Sequence, residues 1–278
     1  MQEKSIAIGT LRIAYIENNP GASKTIFFIH GNSCSSRMWR KQIQCELFNS
    51  YRLIAFDLPG HGKSFVSENP FDDYSPIGTA KILSSAINLL AGTNPYIVVG
   101  FSYGTNLVAE MLAHQLKPAG IILVSSCVIG KNHGLDKIFI PKEPRSIFFY
   151  NETDKKVVYE SMSASLTSVN KNDIQNLVED YLIVCPNFKS ALFKSVADGK
   201  ISDEILLLQS LTTQIPLIFG KDDDLVNIHY LDDNPFNLWR DQVYKLPGAS
   251  HWVNIDMPEI FNQIVAEYAQ QVFIQDHV

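Results

Sequence analysis

The 278-residue chain is long enough to bury a sizeable core, either as one large domain or as one domain with an insertion. Its formal net charge of −6 at pH 7, without a basic cluster, argues against a nucleic-acid groove or an anionic membrane surface as the main partner. No apolar run approaches the roughly 18 residues of a membrane helix, and residues 1–5 lack signal-peptide features, so we expect a soluble, cytoplasmic protein. Four cysteines without C-x-x-C spacing favour free thiols: Cys34, Cys45, Cys127 and Cys185.

The predicted elements alternate between strands and helices. Alternating residues on either side of Gly9-Thr10 predict a β-hairpin over 6–16. Short, almost entirely apolar runs then predict strands buried on both faces, at 25–29, 52–56, 96–99, 121–124, 215–219 and 243–246. Helical spacing lies between them, at 38–48, 79–90 and 105–112. The series predicts an α/β fold with a mostly parallel central sheet, right-handed crossovers and flanking helices.

One interval interrupts this alternation. From about 127 to 213 no further buried strand is predicted, and the runs 153–163, 171–184 and 187–197 have helical spacing. Helices inserted between two sheet strands predict a cap over the strand ends where ligands bind. We therefore assign 129–211 to a helical cap that selects substrates, and 1–128 with 212–278 to the core. The alternative is a helical embellishment packed far from any site.

The candidate nucleophile lies in Gly100-Phe101-Ser102-Tyr103-Gly104, between a predicted strand and a predicted helix. A serine on so sharp a turn needs small neighbours, because a Cβ at 100 or 104 would collide with the facing strand or helix. The Ser102 hydroxyl would then lie exposed at a helix N-terminus, which favours developing negative charge. The five residues alone also fit an ordinary glycine-rich loop.

Two further turns follow predicted strands. His30-Gly31-Asn32-Ser33 is compact enough to present the backbone N–H of Asn32 to the turn at 100–104, which we call the elbow. The N–H of Tyr103 in the elbow would be the second oxyanion donor. Its alternative reading is a plain strand-ending turn. The loop 57–64 is rich in turn formers and is predicted to shape the rim, with His61 as a loop histidine rather than the base.

The candidate acid and base come last in the chain. Three carboxylates follow the strand at 215–219, namely Asp222, Asp223 and Asp224, and His251 follows the final strand. A metal-binding aspartate cluster is the rival reading, but no H-x-H or H-E-x-x-H spacing accompanies it, so we expect no metal and no cofactor.

Together these segments resemble the α/β-hydrolase superfamily over essentially the whole chain. The resemblance places the acid three residues after Gly220, which selects Asp223, and Ser102, Asp223 and His251 then follow the triad's chain order. The loop 57–64 also resembles epoxide hydrolases and haloalkane dehalogenases, which carry aspartate at the nucleophile position. A serine there implies acyl transfer through an ester intermediate.

A narrower likeness is carried by 30–36, 58–64 and Asn237-Leu238-Trp239, which resemble the metal-independent N-acyl-homoserine lactone lactonase type. In that group the asparagine after His-Gly holds the lactone or its oxyanion, which implies Asn32, and a cap tyrosine touches the substrate, which implies Tyr159. We add Trp252, beside the base, as a third substrate contact. The acid there is a glutamate, whereas this chain has Asp223.

These observations predict a serine hydrolase of carboxylic esters or lactones, with N-acyl-homoserine lactones among its substrates. A general carboxylesterase is one alternative. The other is a ligand-binding receptor that keeps the fold, as plant hormone receptors do. The expected partner is a small ester or lactone, without nucleic acid or membrane, and the sequence carries no signal for an oligomeric state.

Overall fold

An eight-stranded, mostly parallel sheet runs through the part of the chain that the computed structural model describes, which is residues 1–141, 145–168 and 170–275. Its strands are β1 (Gln2–Ile8), β2 (Leu11–Asn18), β3 (Thr25–Ile29), β4 (Arg52–Phe56), β5 (Tyr96–Phe101), β6 (Gly120–Val124), β7 (Ile215–Gly220) and β8 (Leu238–Leu246). The order across the sheet is β1-β2-β4-β3-β5-β6-β7-β8, with the β1–β2 and β2–β4 pairs antiparallel and the others parallel.

Helices cover both faces of this sheet, so every residue of β3, β5, β6 and β7 is buried. The described α-helices are α1 (Arg40–Ile43), α2 (Pro70–Asp73), α3 (Pro76–Ala91), α4 (Tyr103–Ala113), α5 (Leu135–Ile138), α6 (Lys155–Ser165), α7 (Lys171–Leu182), α8 (Phe188–Ala197), α9 (Glu204–Gln209), α10 (Val253–Asp256) and α11 (Pro258–Gln275). Short 3₁₀ turns lie at Ser36–Trp39, Glu46–Phe48 and Arg145–Phe148. Among the described helices, none combines the length and the apolarity needed to span a bilayer.

The hairpin and the strands are confirmed, although β8 is only partly buried rather than buried on both faces. The single helix predicted over 38–48 is wrong. That stretch forms a 3₁₀ turn, the four-residue α1 and a second 3₁₀ turn. The backbone of Cys45 is extended, with φ −78° and ψ 129°, and this ends the helical path. Periodicity could not reveal the break, because Met38, Ile43 and Phe48 are buried on both sides of it.

The last strand is longer than predicted, and it moves one of the motifs away from the site. Arg240 and Asp241 take positive φ values of 56° and 55° at an irregularity in the β7–β8 pairing. Because this first half of β8 contains polar residues, its sequence did not predict a strand. Leu238 pairs with Ile215 at the start of β7, so the Asn237-Leu238-Trp239 segment lies at the amino end of the sheet. The segment therefore makes no direct contact with Ser102, which lies at the opposite, carboxyl ends of the strands.

The interval between β6 and β7 contains α5 to α9, where the sequence predicts inserted helices. Positions 142–144 and 169 of the predicted cap lie outside the described residues. The insertion packs back onto the core: the N–H of Cys185 donates to the carbonyl of Gly60, and the ring of Phe188 lies 4.2 Å from that of His61. This contact sets the inserted helices over the carboxyl ends of the strands.

Candidate active site

Ser102 lies on a strained turn between β5 and α4. Its backbone has φ 50° and ψ −121°, a combination that is costly for any residue with a side chain. Two glycines make the turn possible. A Cβ on Gly100 would lie 2.6 Å from the carbonyl oxygen of Gly104, and a Cβ on Gly104 would lie 2.5 Å from that of Ile29. The collisions expected at both positions are therefore present, one against the helix and one against the neighbouring strand.

The structure brings Ser102, His251 and Asp223 into one hydrogen-bonded line. The distance from Ser102 Oγ to His251 Nε2 is 3.0 Å, and that from His251 Nδ1 to Asp223 Oδ2 is 2.8 Å. A carboxylate only accepts hydrogen bonds, so Nδ1 carries a proton and Nε2 of the neutral ring is left to accept from the serine. Both His251 and Asp223 are buried. Their roles in a reaction stay a prediction.

Backbone groups hold the Asp223 carboxylate in place. Its Oδ1 accepts from the N–H groups of Leu225 and Val226, each at 2.9 Å, which leaves Oδ2 for His251. The neighbouring Asp222 has a different task, because its Oδ2 accepts from the N–H of Gly248. Within the described residues, no three His, Cys, Asp or Glu side chains form a group that could hold a metal ion.

Two backbone N–H groups flank the serine without an acceptor among the described residues, and they belong to Asn32 and Tyr103. The turn that carries Asn32 lies directly against the elbow, since a Cβ on Gly31 would come within 3.0 Å of the Cβ of Ser102. The side chain of Asn32 is already engaged. Its Nδ2 donates to the carbonyl of Phe148 at 2.8 Å, and its Oδ1 accepts from the hydroxyl of Ser33.

Two buried histidines support this turn. His61 Nε2 accepts from the N–H of Ser33 at 3.2 Å, and His30 Nε2 accepts from the N–H of Leu58 at 3.0 Å. Burial lowers the pKa of His30 to about 4 and that of His61 to about 3, so both rings are neutral and act as acceptors. His61 is thus a loop histidine, as predicted, while His251 contacts the serine.

An apolar cavity opens at the serine, between the elbow and the inserted segment. Its described lining contains no Asp, Glu, Lys or Arg. The polar side chains on its wall are those of Asn32, Ser102, Tyr103, Asn106, Cys127 and His251. Most of the remaining wall comes from the insertion: Ile129, Leu135, Phe139, Phe148, Phe149, Leu192, Phe193, Val196 and Ile201. The insertion therefore lies against this cavity rather than far from it.

The aromatic contacts differ from those expected. Trp252 lines the cavity and donates from Nε1 to the hydroxyl of Ser165, 2.8 Å away, so it keeps its place as a candidate contact. Tyr159 is not among the described residues that line the cavity, and it packs, partly buried, against the core, so its contact with a substrate stays a prediction. Its choice rested on resemblance alone, in a segment without a motif. The insertion supplies Phe148, Phe149 and Phe193 instead.

A buried polar pair behind the serine was missed. Asn106 Nδ2 lies 2.7 Å from Glu204 Oε2 and 2.8 Å from the carbonyl of Cys127. Burial raises the pKa of Glu204 well above its usual range, which favours the neutral acid. The thiol of Cys127 lies 3.6 Å from Ser102 Oγ, and burial raises its pKa to about 12. No sequence signal marks these residues, because nearly 100 positions separate Asn106 from Glu204.

Comparison with known proteins shows which family model and which solved structures this chain resembles. A model of the alpha/beta hydrolase family matches residues 26–264. The chain is similar in structure to the N-acyl homoserine lactonase AidH complexed with N-butanoyl homoserine, with a TM-score of 0.89 and 21% identity over 98% of this chain and 97% of that one. It is also similar to the esterase RhEst1 from Rhodococcus sp. ECU1013, with a TM-score of 0.80 and 23% identity over 98% of each chain. At these identities the structural likeness establishes a common fold.

Proposed function

The chain belongs to the alpha/beta hydrolase family, and from that premise we propose that it is a serine hydrolase of uncharged carboxylic esters or lactones. The observation that carries the proposal is the line of 3.0 Å and 2.8 Å contacts from Ser102 through His251 to Asp223, at the wall of an apolar cavity. The absence of charged side chains from the described lining favours substrates without a formal charge.

The proposed reaction has two halves. Ser102 attacks the carbonyl carbon while His251 accepts its proton through Nε2, and Asp223 stabilises the imidazolium that forms. The N–H groups of Asn32 and Tyr103 hold the oxyanion, and each such donor typically contributes a factor of about 10² to 10³ in rate. His251 then gives its proton to the leaving oxygen. Water, activated by the same ring, releases the acid from Ser102.

We further propose N-acyl-homoserine lactones as substrates. The likeness to the AidH lactonase and the 30–36 turn support this choice, and so does the chemistry of the ring. A lactone ester is held in the cis form, so it is intrinsically more reactive than an open ester. Its acyl tail would be buried by the apolar wall at roughly 0.8 kcal/mol per methylene.

We assign the choice of tail to the cap, residues 129–211, whose described part supplies most of the apolar wall. The side-chain amide of Asn32 already donates to the carbonyl of Phe148. Asn32 would therefore contact the lactone chiefly through its backbone N–H. The cap would therefore select the acyl part, while the turn would serve any ester.

One screen tests both levels of the proposal. Purified protein is offered a short aryl ester and N-acyl-homoserine lactones of increasing tail length, and kcat/KM is measured for each. We expect turnover of both classes, with kcat/KM rising along the tail series until the cavity is full. Brisk ester hydrolysis without lactone hydrolysis would remove the lactone assignment alone. Stoichiometric binding without turnover of any ester would favour a receptor and overturn the hydrolase.

A further inference from the structure

The cavity wall includes a short segment, residues 147–150, that is held through its backbone carbonyls. Asn32 Nδ2 donates to the carbonyl of Phe148 at 2.8 Å. The carbonyls of Ile147 and Tyr150 both accept from Lys189 Nζ, at 2.8 Å and 3.0 Å. Three of the four carbonyls in this segment therefore have a donor from elsewhere in the fold, and Phe148 and Phe149 both line the cavity.

Tyr181 strengthens the same anchor. Its hydroxyl accepts from the N–H of Glu152 at 2.9 Å and lies 2.9 Å and 3.0 Å from the carbonyl oxygens of Ile147 and Tyr150. Its ring lies 3.8 Å from Lys189 Nζ, which is within the range of a cation–π contact. Lys189 and Tyr181 thus form one clamp on α8 and α7, with both side chains directed at the same pair of oxygens.

Lys189 is costly to keep in this position. It is 2% exposed, and in the part of the chain that the structure describes no carboxylate pairs with it. A buried ammonium group with only neutral partners lowers the stability of a fold. Burial lowers its pKa to about 7, and the neutral amine still has two N–H groups for the two carbonyls. The clamp therefore works in either protonation state.

We propose that Lys189 and Tyr181 are positioning residues, which hold segment 147–150 so that Asn32 keeps its backbone N–H in place for the oxyanion. The inference rests on the proposed serine-hydrolase function. The path is short: the clamp fixes Ile147 and Tyr150, Phe148 lies between them, and its carbonyl holds the side chain of Asn32. The ring of Phe148 also lies 6.3 Å from that of Trp252, beside His251.

Two variants remove the clamp from different sides. Lys189→Met keeps most of the length of the side chain and removes its donors, and Tyr181→Phe removes only a hydroxyl. Lys194→Met is the matched control, because Lys194 lies on the same helix, 58% exposed, in an ion pair with Asp198. The wild type and the three variants are compared on a short aryl ester, with kcat and KM measured separately and thermal unfolding followed in parallel.

We expect both clamp variants to lose about 10-fold to 100-fold in kcat with KM changed less than about twofold, while Lys194→Met stays at the wild-type value. A merely structural loss of the cavity wall would weaken binding of the ester and raise KM instead. If Lys189→Met does not fold, Tyr181→Phe decides alone.

The outcomes separate the two proposals. Folded variants with wild-type kcat would overturn the positioning role and leave the hydrolase intact, as would an effect confined to KM. An inactive wild-type protein would overturn the proposed function, and the positioning role with it.

Discussion

The hydroxyl of Ser125 donates a 2.6 Å hydrogen bond to the backbone carbonyl of His251. Ser125 directly follows β6, with φ 46°, and its own N–H donates to Ile218 in β7. The candidate base is therefore fixed at two points, by Asp223 at its ring and by Ser125 at its backbone. The second point comes from the strand beside the nucleophile, so it ties the base to the same sheet edge as Ser102.

Removing this hydroxyl is expected to cost activity more than stability. Ser125→Gly suits the positive φ and deletes the hydrogen bond, so we expect kcat to fall about tenfold, with a loss in the free energy of unfolding of about 1 kcal/mol. Ser126→Ala is the control, since the Ser126 hydroxyl does not contact His251. Steady-state kinetics and urea unfolding would measure both effects. Equal kcat in Ser125→Gly and Ser126→Ala would show that the backbone anchor does not matter.

The elbow should not tolerate a methyl group at Gly104. The added Cβ would meet the backbone oxygen of Ile29 at 2.5 Å, and a backbone atom cannot rotate away. We expect Gly104→Ala to displace the turn and to lower kcat/KM at least about 100-fold. Gly21→Ala, where no heavy atom lies within 4 Å, is the control and should match the wild type. Near-normal activity of a folded Gly104→Ala protein would contradict the elbow geometry.

Acid should destabilise the fold through the two buried histidines. The pKa of His61 is about 3 in the folded protein and that of His30 is about 4, against an ordinary value of 6.5, so the unfolded chain binds more protons as the pH falls below 6.5. Their contribution is fully present above pH 6.5 and is lost on acidification, at up to about 1.4 kcal/mol per pH unit for each histidine.

The variant that tests this slope is His61→Gln, which keeps polar atoms near the Ser33 N–H. Between pH 6 and about 4.5 its free energy of unfolding should fall less steeply than that of the wild type, by about 1.4 kcal/mol per pH unit. Urea titrations at several pH values give both slopes. Parallel slopes would mean that His61 is not buried as a neutral ring.

The depth of the cavity should set the preferred acyl tail. Val196 lines it from α8, so Val196→Phe would fill part of the space. We expect the maximum of kcat/KM to move to shorter tails, with a loss of roughly 0.8 kcal/mol for each methylene that no longer fits. A tail series on both proteins measures the shift. An unchanged optimum would place the tail outside this cavity.

The main features of the candidate site could be predicted because each is local. The glycines around Ser102 are needed because a Cβ there would collide with atoms within a few ångströms. The carboxyl ends of the parallel strands bring Ser102, Asp223 and His251 together at one edge of the sheet. A strand-ending turn and a strand-to-helix turn leave marks in the sequence that need no knowledge of distant partners.

The rest depends on contacts between distant positions. Lys189 meets residues 147–150 only once α7 and α8 are packed, and nothing in the local sequence marks it as buried. The sequence likewise could not place Tyr159, which was chosen by resemblance and is absent from the described lining of the cavity, because helical spacing predicts an apolar face but not which cavity that face meets. The broken helix at 38–48 shows that periodicity also misses interruptions when both pieces bury one face.

The identity of the nucleophile is tested most directly by the kcat of Ser102→Ala on a short aryl ester, beside the wild type and with thermal unfolding as a check on the fold. The Ser102 hydroxyl contributes little to the core, so we expect the variant to unfold at the wild-type temperature. Its kcat should fall at least about a thousandfold, because no other group can form the acyl intermediate. A folded Ser102→Ala protein that keeps more than a few per cent of wild-type turnover would contradict the assignment of Ser102 as the nucleophile.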